Sequence, residues 1–118
     1  MNDIKILYVD DEILNLMSFE SEYKRDFKVY TAKNENECME VLKNNEISII
    51  ISDHRMPRIT GVELLSLVKE KFPGIKRIIL SGYIDDVQIQ DGIKNNIIDM
   101  AFEKPFERFY LEEIVNYS

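Results

Sequence analysis

The chain has 118 residues, 45% of them apolar, enough for one compact core over residues 1–118 and too few for two independent domains. Fifteen Lys and Arg against twenty-two Asp and Glu leave a net charge of −7. That balance argues against binding that neutralises nucleic-acid phosphates or anionic lipid, and favours a cation or a basic partner surface. No apolar run approaches the roughly twenty residues that span a bilayer. The N-terminus MNDIKILYVDDE is too charged for a signal peptide, and the lone Cys38 has no partner for an intramolecular disulfide. The expectation is a cytoplasmic protein with no membrane role and no direct contact with nucleic acid.

The elements alternate regularly along the chain. Ile4 to Val9, interrupted only by Lys5, predicts a buried strand, and residues 12 to 25 a helix with Ile13, Leu16, Met17 and Tyr23 inward. Phe27 to Thr31 is rich in β-formers, and Asn34 caps a second helix ending near Asn45 that buries Cys38, Val41 and Leu42. Residues 47 to 52, Ile-Ser-Ile-Ile-Ile-Ser, form the most β-branched run. Thr60 then caps a helix to about Phe72 with Val62, Leu65, Val68 and Phe72 inward, ended by Pro73-Gly74. Arg77 to Leu80 is a fourth strand, Asp85 to Lys94 a fourth helix, Ile98 to Phe102 a fifth strand and Glu107 to Tyr117 a last helix. Buried strands each followed by a helix predict an α/β fold with a parallel sheet covered on both faces. In the fourth helix Val87 and Ile89 fall on different faces, so its outer side is either mobile or meets a partner.

In open parallel sheets the ligand site lies outside the carboxyl ends of the strands. The first strand is followed there by Asp10, Asp11 and Glu12, the third by Asp53, the fourth by Ser81 and Gly82, and the fifth by Lys104 and Pro105. Clustered carboxylates repel, and a basic neighbour or a hard divalent cation relieves the repulsion. Lys104 supplies the first, and Mg2+, with Mn2+ as an alternative, fits the oxygen donors. Such a set handles phosphoryl groups: Asp53 is the candidate nucleophile, Asp10 and Asp11 the candidate metal pair, and a hydroxyl and an ammonium meet the phosphoryl oxygens. His54 reads as a loop residue lining the rim, Cys38 as a small core residue, and Arg55 and Arg58 as a solvated rim.

These motifs, Asp10-Asp11 in LYVDDE, Asp53 in IISDHRMPRITG, Ser81 in IILSGY and Lys104 in EKPF, resemble those of the receiver domains of bacterial two-component response regulators, in order and over the whole chain. The resemblance implies a flavodoxin-like three-layer (βα)5 fold with strand order 2-1-3-4-5, Asp53 as phosphoacceptor, and Ser81 and Lys104 as switch and catalytic residues. It implies Mg2+ held by Asp11, Asp53 and the Arg55 backbone carbonyl, with Asp10 acting through water. It further implies a cis peptide before Pro105, a crowded backbone at Gly61, and dephosphorylation tuned at Arg55 and Tyr83. Partners would be a histidine kinase or phosphotransfer protein and a downstream target, with the chain a monomer or a phosphorylation-dependent homodimer.

The modified state would change a surface around the fourth helix, fifth strand and fifth helix that includes Ile89, Ile93, Phe109 and Tyr110. Where such receivers often carry an inward-swinging aromatic, this chain has Ala101, with Phe102 beside it, so the hydroxyl switch at Ser81 is the one retained. A chain ending soon after its last helix carries no output domain of its own, and reads as a stand-alone regulator or a piece of a longer protein. Two other readings compete. A Mg2+-dependent aspartyl-phosphate phosphohydrolase would want an acid two residues after the nucleophile, where Arg55 stands. A receiver-like scaffold that is never phosphorylated would have lost a site residue, and none is lost.

Overall fold

The computed structural model describes residues 3–117. The elements run β1 (Lys5–Val9), α1 (Ile13–Tyr23), β2 (Lys28–Ala32), α2 (Glu35–Asn44), β3 (Ile49–Asp53), α3 (Gly61–Lys71), β4 (Lys76–Ser81), α4 (Val87–Lys94), β5 (Met100–Glu103) and α5 (Arg108–Asn116). All four strand pairings are parallel, in the order β2-β1-β3-β4-β5, with Leu7 opposite both Tyr30 and Ile50 and Ile51 opposite Ile78. This is the flavodoxin-like arrangement expected. The strand order reverses between β1 and β3, so the ends of these two strands, Val9 and Asp53, flank the crevice where such sheets bind ligands.

Each sheet face buries its own cluster, as the two-residue period of a strand requires. Leu7, Val9, Ile50 and Ile79 face Cys38 and Leu42 of α2, Val62, Leu65 and Val68 of α3, and Ile89 of α4. Ile6, Tyr8, Ile51 and Ile78 face Leu16, Phe19 and Tyr23 of α1, and Leu111 and Ile114 of α5. Two helix starts use the caps read from sequence. Asn34 accepts from the Glu37 amide at 2.9 Å, and Thr60 forms a reciprocal capping box with Glu63. The boundaries of α1 differ from expectation by a residue or two at each end, as helix ends do.

Three burial expectations need correction. Ile13 and Met17 are exposed, and the inward stripe of α1 is Leu16, Phe19 and Tyr23. Phe19 stacks on Tyr8 with ring centroids 4.1 Å apart. That contact sets the rotation of the helix and carries Met17 about 200° round it from Phe19. Ile89, assigned to the α4 surface, is fully buried, because it sits on the α4 face that packs against α3 and the sheet; Val87 on the other face is exposed. His54 does not line the rim: it is only 3% exposed.

Arg77 is the buried charged residue of β4, and its guanidinium ties down the opposite edge of the sheet. Nε donates to the Ile97 carbonyl at 2.8 Å, Nη1 to those of Ile75 at 3.0 Å and Pro73 at 3.4 Å, and Nη2 to that of Asn96 at 3.2 Å. Its amide donates to Asp99 Oδ2 at 2.7 Å. One side chain thereby satisfies carbonyls of both turns that precede β4 and β5. Arg77→Met keeps the apolar stem and strands these acceptors; it is expected to cost about 2–4 kcal/mol in urea unfolding.

Candidate functional site

Asp10 directly follows β1, and Asp53 is the last residue of β3, so the pleat and the sheet order bring their carboxylates together at the carboxyl edge. Oxygens of Asp10, Asp11 and Asp53 lie within 4.8 Å of one another; Asp10 and Asp53 are buried and Asp11 is exposed. Asp10 is oriented from both sides, Oδ1 accepting from the Glu12 amide and Oδ2 from Asn15 Nδ2, each at 3.0 Å. Asn15, one turn into α1, is a site-positioning residue that sequence reading missed. Its signal was an amide facing back toward the Asp10-Asp11 pair across the start of the helix.

Lys104 follows β5 and reaches across the sheet edge, its Nζ 2.7 Å from Asp53 Oδ1. Two features aim it. The Lys104–Pro105 peptide is cis, and the Lys104 amide donates to the Ser81 carbonyl at 2.9 Å. Burial pushes the Asp53 pKa above its ordinary value; the hydrogen bond and charge of Lys104 pull it down, and Asp10 and Asp11 push it up again. Burial works against the charged Lys104, but the hydrogen bond and charge of Asp53 more than offset this and raise its pKa. Three acids thus share one ammonium, and the set retains unbalanced negative charge. Hard, closely spaced oxygens with a net negative field are the donor chemistry of a divalent cation such as Mg2+.

Ser81 ends β4 and is buried, with its hydroxyl engaged by its own loop. Oγ accepts from the Tyr83 amide at 3.1 Å and donates to the Tyr83 carbonyl at 3.4 Å. Above it the exposed Tyr83 ring lies 5.9 Å from the Arg55 guanidinium, within cation–π range, so the two loops that flank Asp53 touch at their tips. Gly61, at the start of α3, donates its amide to the His54 carbonyl at 2.8 Å. A Cβ there would collide with the Asp53 carbonyl oxygen and come 2.9 Å from His54 Cα. The residue is glycine because the backbone of the Asp53 turn passes directly over it.

Ala101 and Phe102 sit on opposite faces of β5. Ala101 packs with the α2–α4 cluster, while Phe102 packs on the other side and stacks on Tyr110 with ring centroids 4.3 Å apart. The neighbouring aromatic therefore does not stand in for the missing one, because a shift of one residue reverses the face. Burial pushes the His54 pKa below its ordinary value and Arg55 adds to this, while Asp86, Asp53 and Glu63 oppose it.

The chain matches the response regulator receiver domain family over residues 6–116. It belongs to that family. Among curated relatives it is 34% identical over 110 residues to the hydrogenase transcriptional regulatory protein HoxA of Cupriavidus necator, covering 93% of this chain and 23% of the relative. It is 33% identical over 87 residues to the transcriptional regulatory protein HptR of Staphylococcus aureus, covering 74% of this chain and 33% of the relative. The chain thus spans a quarter to a third of the length of these regulators. A CheY-like receiver domain protein from Methanospirillum hungatei superposes with a TM-score of 0.86 at 27% identity, covering 97% of this chain and 92% of that one. The response regulator TrrA of Thermotoga maritima, solved in complex with Mg2+ and BeF, gives a TM-score of 0.78 at 26% identity, covering 95% and 96%. The protein is a receiver domain of the two-component response regulator type.

Two outcomes follow from this geometry. Because the folded Asp53 pKa lies above its ordinary value of 3.8, the metal-free receiver loses stability as pH rises from that value through the folded one. Asp53→Asn removes the loss, so at neutral pH and without divalent cations it is expected to melt above wild type, with the gap closing toward pH 4 in thermal scans. Gly61→Ala is expected to destabilise by about 1–3 kcal/mol in urea unfolding, because backbone rather than a pliable side chain opposes the new methyl.

Proposed function

We propose that this receiver, over residues 1–118, is a phosphoacceptor switch in which Asp53 takes a phosphoryl group from a phosphohistidine on a histidine kinase or phosphotransfer protein. The observation that carries the reading is the buried Asp53 carboxylate, 2.7 Å from Lys104 Nζ and within a cluster of three acids. An Asp53 oxygen attacks phosphorus, the new O–P bond forms as the P–N bond to the imidazole breaks, and the electron pair leaves with the imidazole. Lys104 and the Ser81 hydroxyl meet the phosphoryl oxygens. Asp11, Asp53 and the Arg55 carbonyl, with Asp10 acting through water, would hold a Mg2+ or Mn2+ ion, which would supply positive charge that the single ammonium does not. The structural relative TrrA, solved in complex with Mg2+ and BeF, supports a role for Mg2+.

Ser81 links chemistry to output. To reach a phosphoryl oxygen its hydroxyl gives up the 3.4 Å bond to the Tyr83 carbonyl, which frees the loop leading into α4. The surface around α4, β5 and α5 then changes. Its exposed apolar residues are Tyr83, Val87, Ile93 and Phe109, and Tyr110 is half-buried against Phe109. A downstream protein or a second copy of the chain would read that surface. No helix among the described residues is long and apolar enough to cross a membrane, and the net charge of −7 does not suit nucleic acid. The reading places the receiver in the cytoplasm, as a regulator whose own chemistry is confined to phosphoryl uptake and autodephosphorylation.

The test is intact mass after incubation with acetyl phosphate and Mg2+. One added phosphoryl group is expected on wild type and none on Asp53→Asn or on a sample stripped of divalent cations; addition to Asp53→Asn would overturn the assignment. A roughly hundredfold excess of Mg2+ over its Kd is expected to stabilise the wild type by about 2.7 kcal/mol in urea unfolding. Asp11→Asn, losing one acid of the cluster, is expected to need more Mg2+ for the same gain.

A further inference from the structure

His54 is more firmly placed than a loop residue needs to be. Its amide donates to the Leu80 carbonyl at 3.1 Å and its carbonyl accepts from Gly61 at 2.8 Å, so its backbone is fixed between β4 and α3. The buried side chain reaches across to the start of α4, where Nε2 lies 3.7 Å from Asp86 Oδ1. That same oxygen caps the helix, accepting from the amides of Gln88 at 2.8 Å and Ile89 at 3.3 Å. The imidazole is nevertheless poorly satisfied. The 3.7 Å contact exceeds hydrogen-bond length, and Nδ1 has no partner among the described residues. A Leu or Met would fill such a site without leaving polar atoms unpaired.

The chain between Ser81 and Asp86 shows what would complete the contact. The Tyr83 carbonyl is shared, accepting from Ser81 Oγ at 3.4 Å and from the Asp86 amide at 3.4 Å, both long. When the Ser81 hydroxyl turns toward a phosphoryl group, that carbonyl is left to Asp86 alone. Resting on the phosphoacceptor reading, we propose that His54 is a positioning residue. Phosphoryl uptake at Asp53 releases Tyr83, draws Asp86 toward β3, and closes the His54 Nε2–Asp86 Oδ1 contact into a hydrogen bond that sets α4 in its signalling position. The movement required is about 0.8 Å, the difference between the observed 3.7 Å and the usual bond length near 2.9 Å. The contact needs a proton on Nε2 to donate to Asp86 Oδ1 and calls for no change of protonation. Coupling of this kind is reciprocal: whatever removes the bond weakens the phosphorylated state.

The experiment uses the full chain with Mg2+ and beryllofluoride as the phosphoryl mimic, and compares wild type with His54→Leu, His54→Gln, Asp86→Ser and the His54→Leu/Asp86→Ser double variant. Affinity for the mimic and hydrogen exchange of the α4 amides from Gln88 to Ile93 are read together. Asp86→Ser retains a capping oxygen but is too short to meet His54, and it carries the test if His54→Leu does not fold. Wild type is expected to gain α4 protection with the mimic. His54→Leu and Asp86→Ser should bind the mimic roughly fivefold or more weakly and lose the gain while binding Mg2+ alone as wild type does. The double variant should be no worse than either single, and His54→Gln, which keeps an N–H donor at the same reach, should recover most of the response. Single variants that respond as wild type does, or effects that simply add, would overturn the latch and leave the role of Asp53 standing. A wild type that takes up no mimic would overturn both.

Discussion

Three carboxylates held within 4.8 Å of one another at the end of a buried sheet are an electrostatic liability, and the surrounding structure is arranged to hold that charge in place. Asp10 is fixed by the Glu12 amide and Asn15, and Asp53 by the ion pair with Lys104. Lys104 is in turn aimed by a cis peptide and by its amide bond to Ser81. None of these devices neutralises the cluster. They preorganise a negative pocket with one ammonium at its edge, the arrangement that the proposed cation and phosphoryl group would meet.

The same constraint explains why the opposite edge of the sheet looks so different. There Arg77 satisfies four backbone carbonyls of the turns that precede β4 and β5, and Lys76 bonds the carbonyls of Ile114 and Val115 at the end of α5. One edge is closed by hydrogen bonds between side chain and backbone and serves stability. The other leaves hydroxyl, carboxylate and ammonium groups at strand ends, beneath the connecting loops. The site and α4 are joined at β4, whose last residue, Ser81, begins the loop that ends at the α4 cap, Asp86.

The strands were legible because parallel strands buried on both faces read as continuous apolar runs with the polar residues at one end of each; their order came only from the family resemblance and is the one observed. The site residues were legible for the same reason, since Asp10, Asp53, Ser81 and Lys104 all follow or end strands. The rotation of α1 was not. Ile13, Leu14, Leu16, Met17 and Phe19 offer several overlapping stripes, and only the stack of Phe19 on Tyr8 selects among them. His54 was misread because its partner Asp86 lies far off in sequence, at the start of α4, and Arg77 was passed over because two of its acceptors, Ile97 and Asn96, lie in the turn before β5. Arg77 did carry a signal: a charge inside an otherwise apolar strand must find acceptors, and a buried guanidinium finds several at once.

The central claim is that Asp53, and no other group in the acid cluster, carries the phosphoryl group. Its most direct test is to load the receiver with acetyl phosphate and Mg2+, reduce the acyl phosphate with borohydride, and sequence the peptides by mass spectrometry. The account predicts conversion to the reduced residue at position 53 alone, with Asp10, Asp11 and His54 unmodified. Reduction mapped to Asp10 or Asp11, or a stable phosphoryl group on His54, would contradict it.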